Sequence, residues 1–187
     1  MDIVSWDLET TELRSDKAFI LCAGFKPYGK MPYVLRLDDF PADNTGPMDT
    51  LRDRRLVAAI RDELEKYDMW VTWNGRMFDI LMLNDRLTLS RQRETIKKMH
   101  EDCMYRWRSG QSRFSSSRLD WVARMQRTKV DKTSLDWPTW QRATLEAQNG
   151  FKQKDSFEYI VKHNVADVKV LEEVYRMTKH RIRNLHV

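Results

Sequence analysis

Hydrophobic and polar positions follow two different periods along this chain, and the change from one to the other maps its elements. In IVSWDLETT near the start, Val4, Trp6 and Leu8 alternate with Ser5, Asp7 and Glu9, the two-residue rhythm of a strand. Residues 18–25 and 32–37 make two more β-rich runs, separated by the turn-forming Lys26-Pro27-Tyr28-Gly29, so a three-strand meander is expected. From residue 49 to 66 the period lengthens: Leu56, Val57, Ile60 and Leu64 recur at helical spacing, with Arg and Glu between them. MWVTW, residues 69–73, reads as a short buried strand. Asn74-Gly75 breaks the chain, and Phe78, Leu81, Met82 and Leu87 resume a helical pattern.

The second half is mostly helical. Residues 95–107 mix β-branched, basic and aromatic side chains and are read as a helix end running into a strand, and residues 108–118 form a loop by composition. Leu119, Val122, Ala123 and Met125 predict a helix, and residues 138–148 another, with Gly150 placed to stop it. The last segment carries the longest stripe: Phe157, Ile160, Val161, Val165, Val168, Leu171 and Val174, with Asp155 and Glu158 expected as a capping pair at its start. Strands first, then strands interleaved with helices, predict an α/β domain with a mixed β-sheet flanked by α-helices.

Composition narrows this picture. A length of 187 residues suits one domain, residues 1–187, with 41% hydrophobic and 33% charged residues and no low-complexity tract. No apolar run approaches the roughly 18 residues that span a bilayer, and no basic-then-apolar signal segment opens the chain. A soluble protein with no membrane partner is expected, cytoplasmic, or in the host cytoplasm if viral. Cys22 and Cys103 belong to no C-x-x-C pair and are read as two buried thiols. The formal charge of +5 favours a polyanionic partner without requiring one.

The chemistry lies in acids placed where apolar residues belong. The strand period sends Asp7 and Glu9 to one face, side by side, an arrangement that calls for a cation or donors to offset the repulsion. Asp79 follows Phe78 after the Asn74-Gly75 break, and Asp167 interrupts the final stripe with His163 one turn before it. Four hard oxygen donors suit Mg²⁺ or Mn²⁺ better than zinc. Two such ions, roughly 3.5–4 Å apart, would activate a water and stabilise the attacking and leaving oxygens of a phosphodiester. His163, with an unperturbed pKa near neutrality, is the candidate base.

The ordered set Asp7-Leu8-Glu9-Thr10-Thr11, Asn74-Gly75-Arg76-Met77-Phe78-Asp79 and His163-Asn164-Val165-Ala166-Asp167-Val168 resembles the DEDD superfamily of 3′-to-5′ exonucleases. The nearest branch comprises the predicted exonucleases close to the proofreading domains of family B polymerases. The resemblance spans nearly the whole chain and implies a ribonuclease H-like fold. It implies a metal-dependent 3′-to-5′ exonuclease acting on single-stranded or frayed-end DNA or RNA, free-standing or beside a replication or repair protein. In that likeness Asp7 bridges two Mg²⁺ or Mn²⁺ ions, Glu9 and Asp167 complete one site, Asp79 holds the other, and His163 orients or deprotonates the nucleophile. Thr10, Leu13 and Asn74 fall where the family contacts the terminal nucleotide. Two positions depart from the pattern: His163 stands four before Asp167, where the branch with that spacing carries Tyr, and Glu12 replaces a common Gly.

Each motif alone has a bland reading. Asp-x-Glu often marks an exposed edge, and Asn-Gly-x-x-Phe-Asp a loop and a helix cap; their order carries the argument. His100 and Asp102 are expected to be structural. Arg91, Arg93, Lys97, Lys98, Arg106, Arg108, Arg113 and Arg118, with Tyr105, Trp107 and Phe114, form a basic and aromatic run suited to a nucleic-acid strand. Two rival functions stay open: a structure-specific endonuclease on the same fold, and a catalytically decayed nucleic-acid-binding module.

Overall fold

The structure, a computed structural model, describes residues 1–40, 51–108, 114–129 and 136–181. A five-stranded mixed sheet in the order β3-β2-β1-β4-β5 forms its centre. Strands β1 (Ile3–Thr10), β2 (Ile20–Pro27) and β3 (Tyr33–Arg36) make the antiparallel meander the sequence predicts. Strand β4 (Met69–Thr72) returns parallel to β1, and β5 (Met99–Asp102) adds parallel to β4. Helix α1 (Arg54–Leu64) is the crossover from β3 to β4, and α2 (Asp79–Leu89) follows β4. The short α3 (Met104–Arg108), α4 (Leu119–Gln126), α5 (Trp137–Gln148) and the long α6 (Asp155–Thr178) complete the described chain. The helix expected over 49–66 is shorter than its pattern, and residues 49 and 50 lie outside the described residues.

Register decides which helix covers which face. Trp6 pairs with Phe25 and Phe25 with Tyr33, whose hydroxyl bonds Glu63 of α1 at 2.6 Å, so α1 covers the Trp6 face. Glu9 pairs with Cys22 and Cys22 with Arg36, whose guanidinium bonds Glu158 of α6 at 2.6 Å, so α6 covers the face carrying Asp7 and Glu9. Val4, Trp6 and Leu8 are buried with Leu56, Ile60, Leu83 and Leu87, the apolar side of the alternation. On the other side Met69, Val71, Cys103, Leu171 and Tyr175 form a second cluster under α6. Cys22 and Cys103 are free and buried, as expected.

A buried ion pair ties the α1 side together. Arg86 of α2 and Asp53, just before α1, are both fully buried and meet at 2.5 Å, while Asp53 also accepts the Ile20 N–H at 2.8 Å. Removing either partner would strand a charge in the core. At the start of α6 the structure departs from expectation. Asp155 and Glu158 do not form a capping pair, because Arg36 draws Glu158 towards β3. Glu146 of α5 caps the helix instead, accepting the N–H groups of Ser156 and Phe157 at 3.1 and 2.7 Å. Among the described residues no helix is long and apolar enough to cross a membrane.

Candidate active site

The site grows from the end of β1. Pairing between β1 and β4 reaches only Ser5 and Val71, and β4 stops at Thr72 while β1 runs on to Thr10. The two strands therefore part, and the backbone of β1 loses its neighbour on that side. Asp79 takes the vacated place: its Oδ1 accepts the Leu8 N–H at 2.9 Å, between Asp7 and Glu9. Burial at 2% exposure pushes the Asp79 carboxyl up to about 7, the backbone donors pulling against it and the Asp102 charge adding to the rise.

A sharp turn delivers Asp79 there. Asn74 adopts a positive φ of 67°, and a Cβ on Gly75 would lie 2.5 Å from the Thr72 side chain, so position 75 is closed to any residue but glycine. The Asp102 carboxylate, at the end of β5, accepts the N–H groups of Asn74, Arg76 and Met104 at 2.8, 3.0 and 3.2 Å. Asp102 is thus a structural clamp on the turn, and His100 beside it meets the Thr72 hydroxyl at 2.8 Å. Burial holds the His100 imidazole down at about 4, against the pull of Asp102.

The α6 contribution comes from the other face. Asn164 is fully buried and donates from Nδ2 to the Asp7 carboxylate at 3.0 Å and to the Asp7 carbonyl at 3.2 Å. Two acceptors fix the amide's orientation, which turns Oδ1 towards Gly24, the partner of Asp7 in β2. A Cβ on Gly24 would stand 2.2 Å from that oxygen. Glycine is what lets α6 come this close, with its Cα–H facing the amide oxygen. His163, next to Asn164, has its Nε2 3.7 Å from Oδ2 of Asp167 one turn on, both side chains buried at 8% and 10% exposure. The Cys22 thiol is raised by burial and, next, by the charges of Glu9 and Asp7, which places both acids on its face of the sheet.

Asp7, Asp79 and the Asn164 turn that leads to Asp167 are therefore all brought to residues 7–9 of β1, with Glu9 on the same strand. Among the described residues, no group of three or more His, Cys, Asp or Glu side chains converges enough to hold a metal ion as the side chains now stand. In donor chemistry the set fits Mg²⁺ or Mn²⁺: it is all carboxylate oxygen, and a cation would stabilise the charged form that burial disfavours at Asp79. Thr10 is buried and donates to the Glu12 carbonyl at 2.8 Å, Leu13 is exposed, and Asn74 is half-buried in its turn.

Sequence reasoning missed Asn164 and Gly24. The signal was present: a glycine inside the apolar run ILCAGF marks a close approach, and Asn164 sits in the final stripe between two residues of interest. The basic run fares differently from its reading. Arg93 bonds Glu65 at 2.6 Å, Lys98 the Glu65 carbonyl at 2.9 Å, Arg106 Glu101 at 2.5 Å, and Arg118 lies 3.3 Å from Asp120. Trp107 is buried against Val170 and Val174 and stacks on Phe114 at 4.8 Å. Arg113 and the Arg108 side chain lie outside the described residues.

This sheet order with its flanking helices is a ribonuclease H-like α/β fold. The family described as the RNase_H superfamily matches residues 4–178, and the chain belongs to it. Membership points to nucleic-acid processing of the nuclease kind. Among solved structures, the family B DNA polymerase from the hyperthermophilic archaeon Pyrobaculum calidifontis superposes with a TM-score of 0.62 at 14% identity. The match covers 94% of this chain and 24% of the polymerase chain, so the chain spans about a quarter of that protein and the likeness is one of fold. No curated protein matches the sequence.

Proposed function

We propose that this domain is a metal-dependent 3′-to-5′ exonuclease of the DEDD type, hydrolysing phosphodiester bonds of single-stranded or frayed DNA or RNA ends. The observation that carries the reading is the anchoring of Asp79 on the Leu8 N–H, between Asp7 and Glu9, with Asn164 holding Asp7 from α6. Three segments far apart in sequence thus contribute to one acidic strand end within the RNase_H superfamily. Asp7, Glu9, Asp79 and Asp167 would hold two Mg²⁺ or Mn²⁺ ions. When bound, such ions supply an activated water and charge stabilisation for both oxygens of the displacement.

The chain's own groups do the rest. Asn164 orients the Asp7 carboxylate, and Asp102 sets the turn that places Asp79. His163, buried beside Asp167, takes the proton from the attacking water at Nε2. Thr10, Leu13 and Asn74 would seat the terminal nucleotide. Any replication or repair partner would sit beside this domain.

The test is end-labelled DNA and RNA oligonucleotides incubated with Mg²⁺, Mn²⁺ or chelator, using wild type and Asp7→Ala. The expected result is a ladder shortening from the 3′ end, dependent on metal and lost in the variant. A circular single strand that is cut would make it an endonuclease. A second reading, a nucleic-acid-binding module without catalysis, is motivated by His163 standing four before Asp167, where the resembled branch with that spacing carries Tyr. Binding without cleavage under every metal condition would establish it.

A further inference from the structure

We infer that Trp137, braced by Trp140, is a stacking platform for an unpaired base of the nucleic acid strand. Trp137 opens α5 and is 61% exposed, although a side chain of this size is ordinarily kept from water. Its ring lies on Trp140 with centroids 4.7 Å apart and planes 24° from parallel. Trp140 in turn packs on the main core, alongside the buried Ala143 and Ala147 of the same helix. One face of the exposed indole is thus backed by a fixed ring, and its position is set before any ligand arrives. A sequence-tolerant base site needs such a flat, preorganised π surface.

Placement selects the occupant. Glu146 of α5 accepts the N–H groups of Ser156 and Phe157, and a short connection joins α5 to α6, so the two helices form a hairpin. Trp140 lies six residues before Glu146, about 9 Å back along α5 at 1.5 Å per residue. The same rise along α6 from Ser156 and Phe157 leads to His163, so in this hairpin Trp140 falls at about the axial level of the turn that begins at His163. Lys162, exposed on α6 next to His163, adds a cation for a phosphate at that level. The Asp136 carboxylate beside Trp137 is directed to the Thr139 N–H, as the helix cap. A strand whose end lies on the β1 acids and whose preceding nucleotides run along the α5–α6 hairpin would meet this platform with a base. The inference rests on the nuclease reading for its substrate, and it adds a contact that neither the carboxylates nor Thr10, Leu13 and Asn74 supply.

The test measures binding apart from cleavage. Fluorescence anisotropy in chelator, at fixed low salt, compares an oligothymidine with the same strand carrying abasic residues over its 3′ half, for wild type, Trp137→Ala and Trp137→Phe. Trp137→Ala is expected to weaken oligothymidine binding about tenfold, as loss of one stacked base does, and Trp137→Phe to restore most of it. The abasic strand should bind all three proteins equally. Wild-type affinity in Trp137→Ala, an equal loss for the abasic strand, or no binding of either strand by wild type would overturn the proposal. The exposure of Trp137 leaves the fold intact in both variants, which circular dichroism checks. A wild type that binds with this stacking signature but never cleaves would refute the nuclease reading and spare the platform; full cleavage with unchanged binding in Trp137→Ala would do the reverse.

Discussion

Replacing Asn164 with alanine tests whether α6 holds the acidic strand β1 through one amide. The side chain is fully buried and makes two hydrogen bonds to Asp7, one to its carboxylate and one to its carbonyl. A bond to a charged group contributes roughly 1.5–3 kcal/mol and a neutral one about 1 kcal/mol. Asn164→Ala should therefore destabilise the fold by about 3 kcal/mol, lowering Tm by roughly 6–12 °C for a domain of this size. Gly24→Ala should cost about 1–3 kcal/mol in the native background through overpacking, because its Cβ would meet Asn164 Oδ1 at 2.2 Å. In the Asn164→Ala background the tightest remaining contact of that Cβ is Val168 Cγ1 at 3.2 Å, and the same change should be nearly neutral. Chemical denaturation of the four proteins then yields a coupling of about 1–2 kcal/mol. Additive single effects, agreeing to within about 0.5 kcal/mol, would show that Asn164 and Gly24 do not share one contact, and a loss well below about 3 kcal/mol in Asn164→Ala would show that the amide does not hold Asp7.

Two pH dependences follow from Asp79, which is buried, and His100, which is half-buried. Asp79 titrates at about 7 in the fold and near its ordinary value of 3.8 when unfolded, so the folded state binds the extra proton and metal-free stability falls as pH rises between those values. Asp79→Asn, whose amide oxygen can still accept the Leu8 N–H, should remove that slope and stabilise the metal-free protein by a few kcal/mol at pH 8; an unchanged slope in denaturation curves at pH 5 and 8 would contradict it. His100 shifts the other way for a base, from 6.5 down to about 4, so the unfolded state binds the proton and stability is lost as pH falls through that window. The loss is about 3 kcal/mol, and His100→Asn should flatten the acid limb of the stability profile.

Much of this was written in local pattern. The alternation around Val4, Trp6 and Leu8 specifies a strand with its acids on one face, and the 3.6-residue stripe from Phe157 onward specifies the long helix, because burial of one face is dictated by period alone. The three motif segments, in their order, through the resemblance they carry, implied the ribonuclease H-like fold of the superfamily that matches residues 4–178. What period does not contain is which chain segments become neighbours. Glu158 read as half of a capping box, yet Arg36, 122 positions away, claims it and Glu146 caps the helix in its place. The basic run around Arg93 and Arg106 read as a track, yet Glu65 and Glu101 neutralise those cations. Asn164 acquired its role only because Gly24 lets α6 descend onto β1. Sequence determined the elements and the identity of the acids, since those depend on residue type and spacing. Tertiary structure decided which hydrogen-bond donors reach them, since that depends on how closely two backbones can approach.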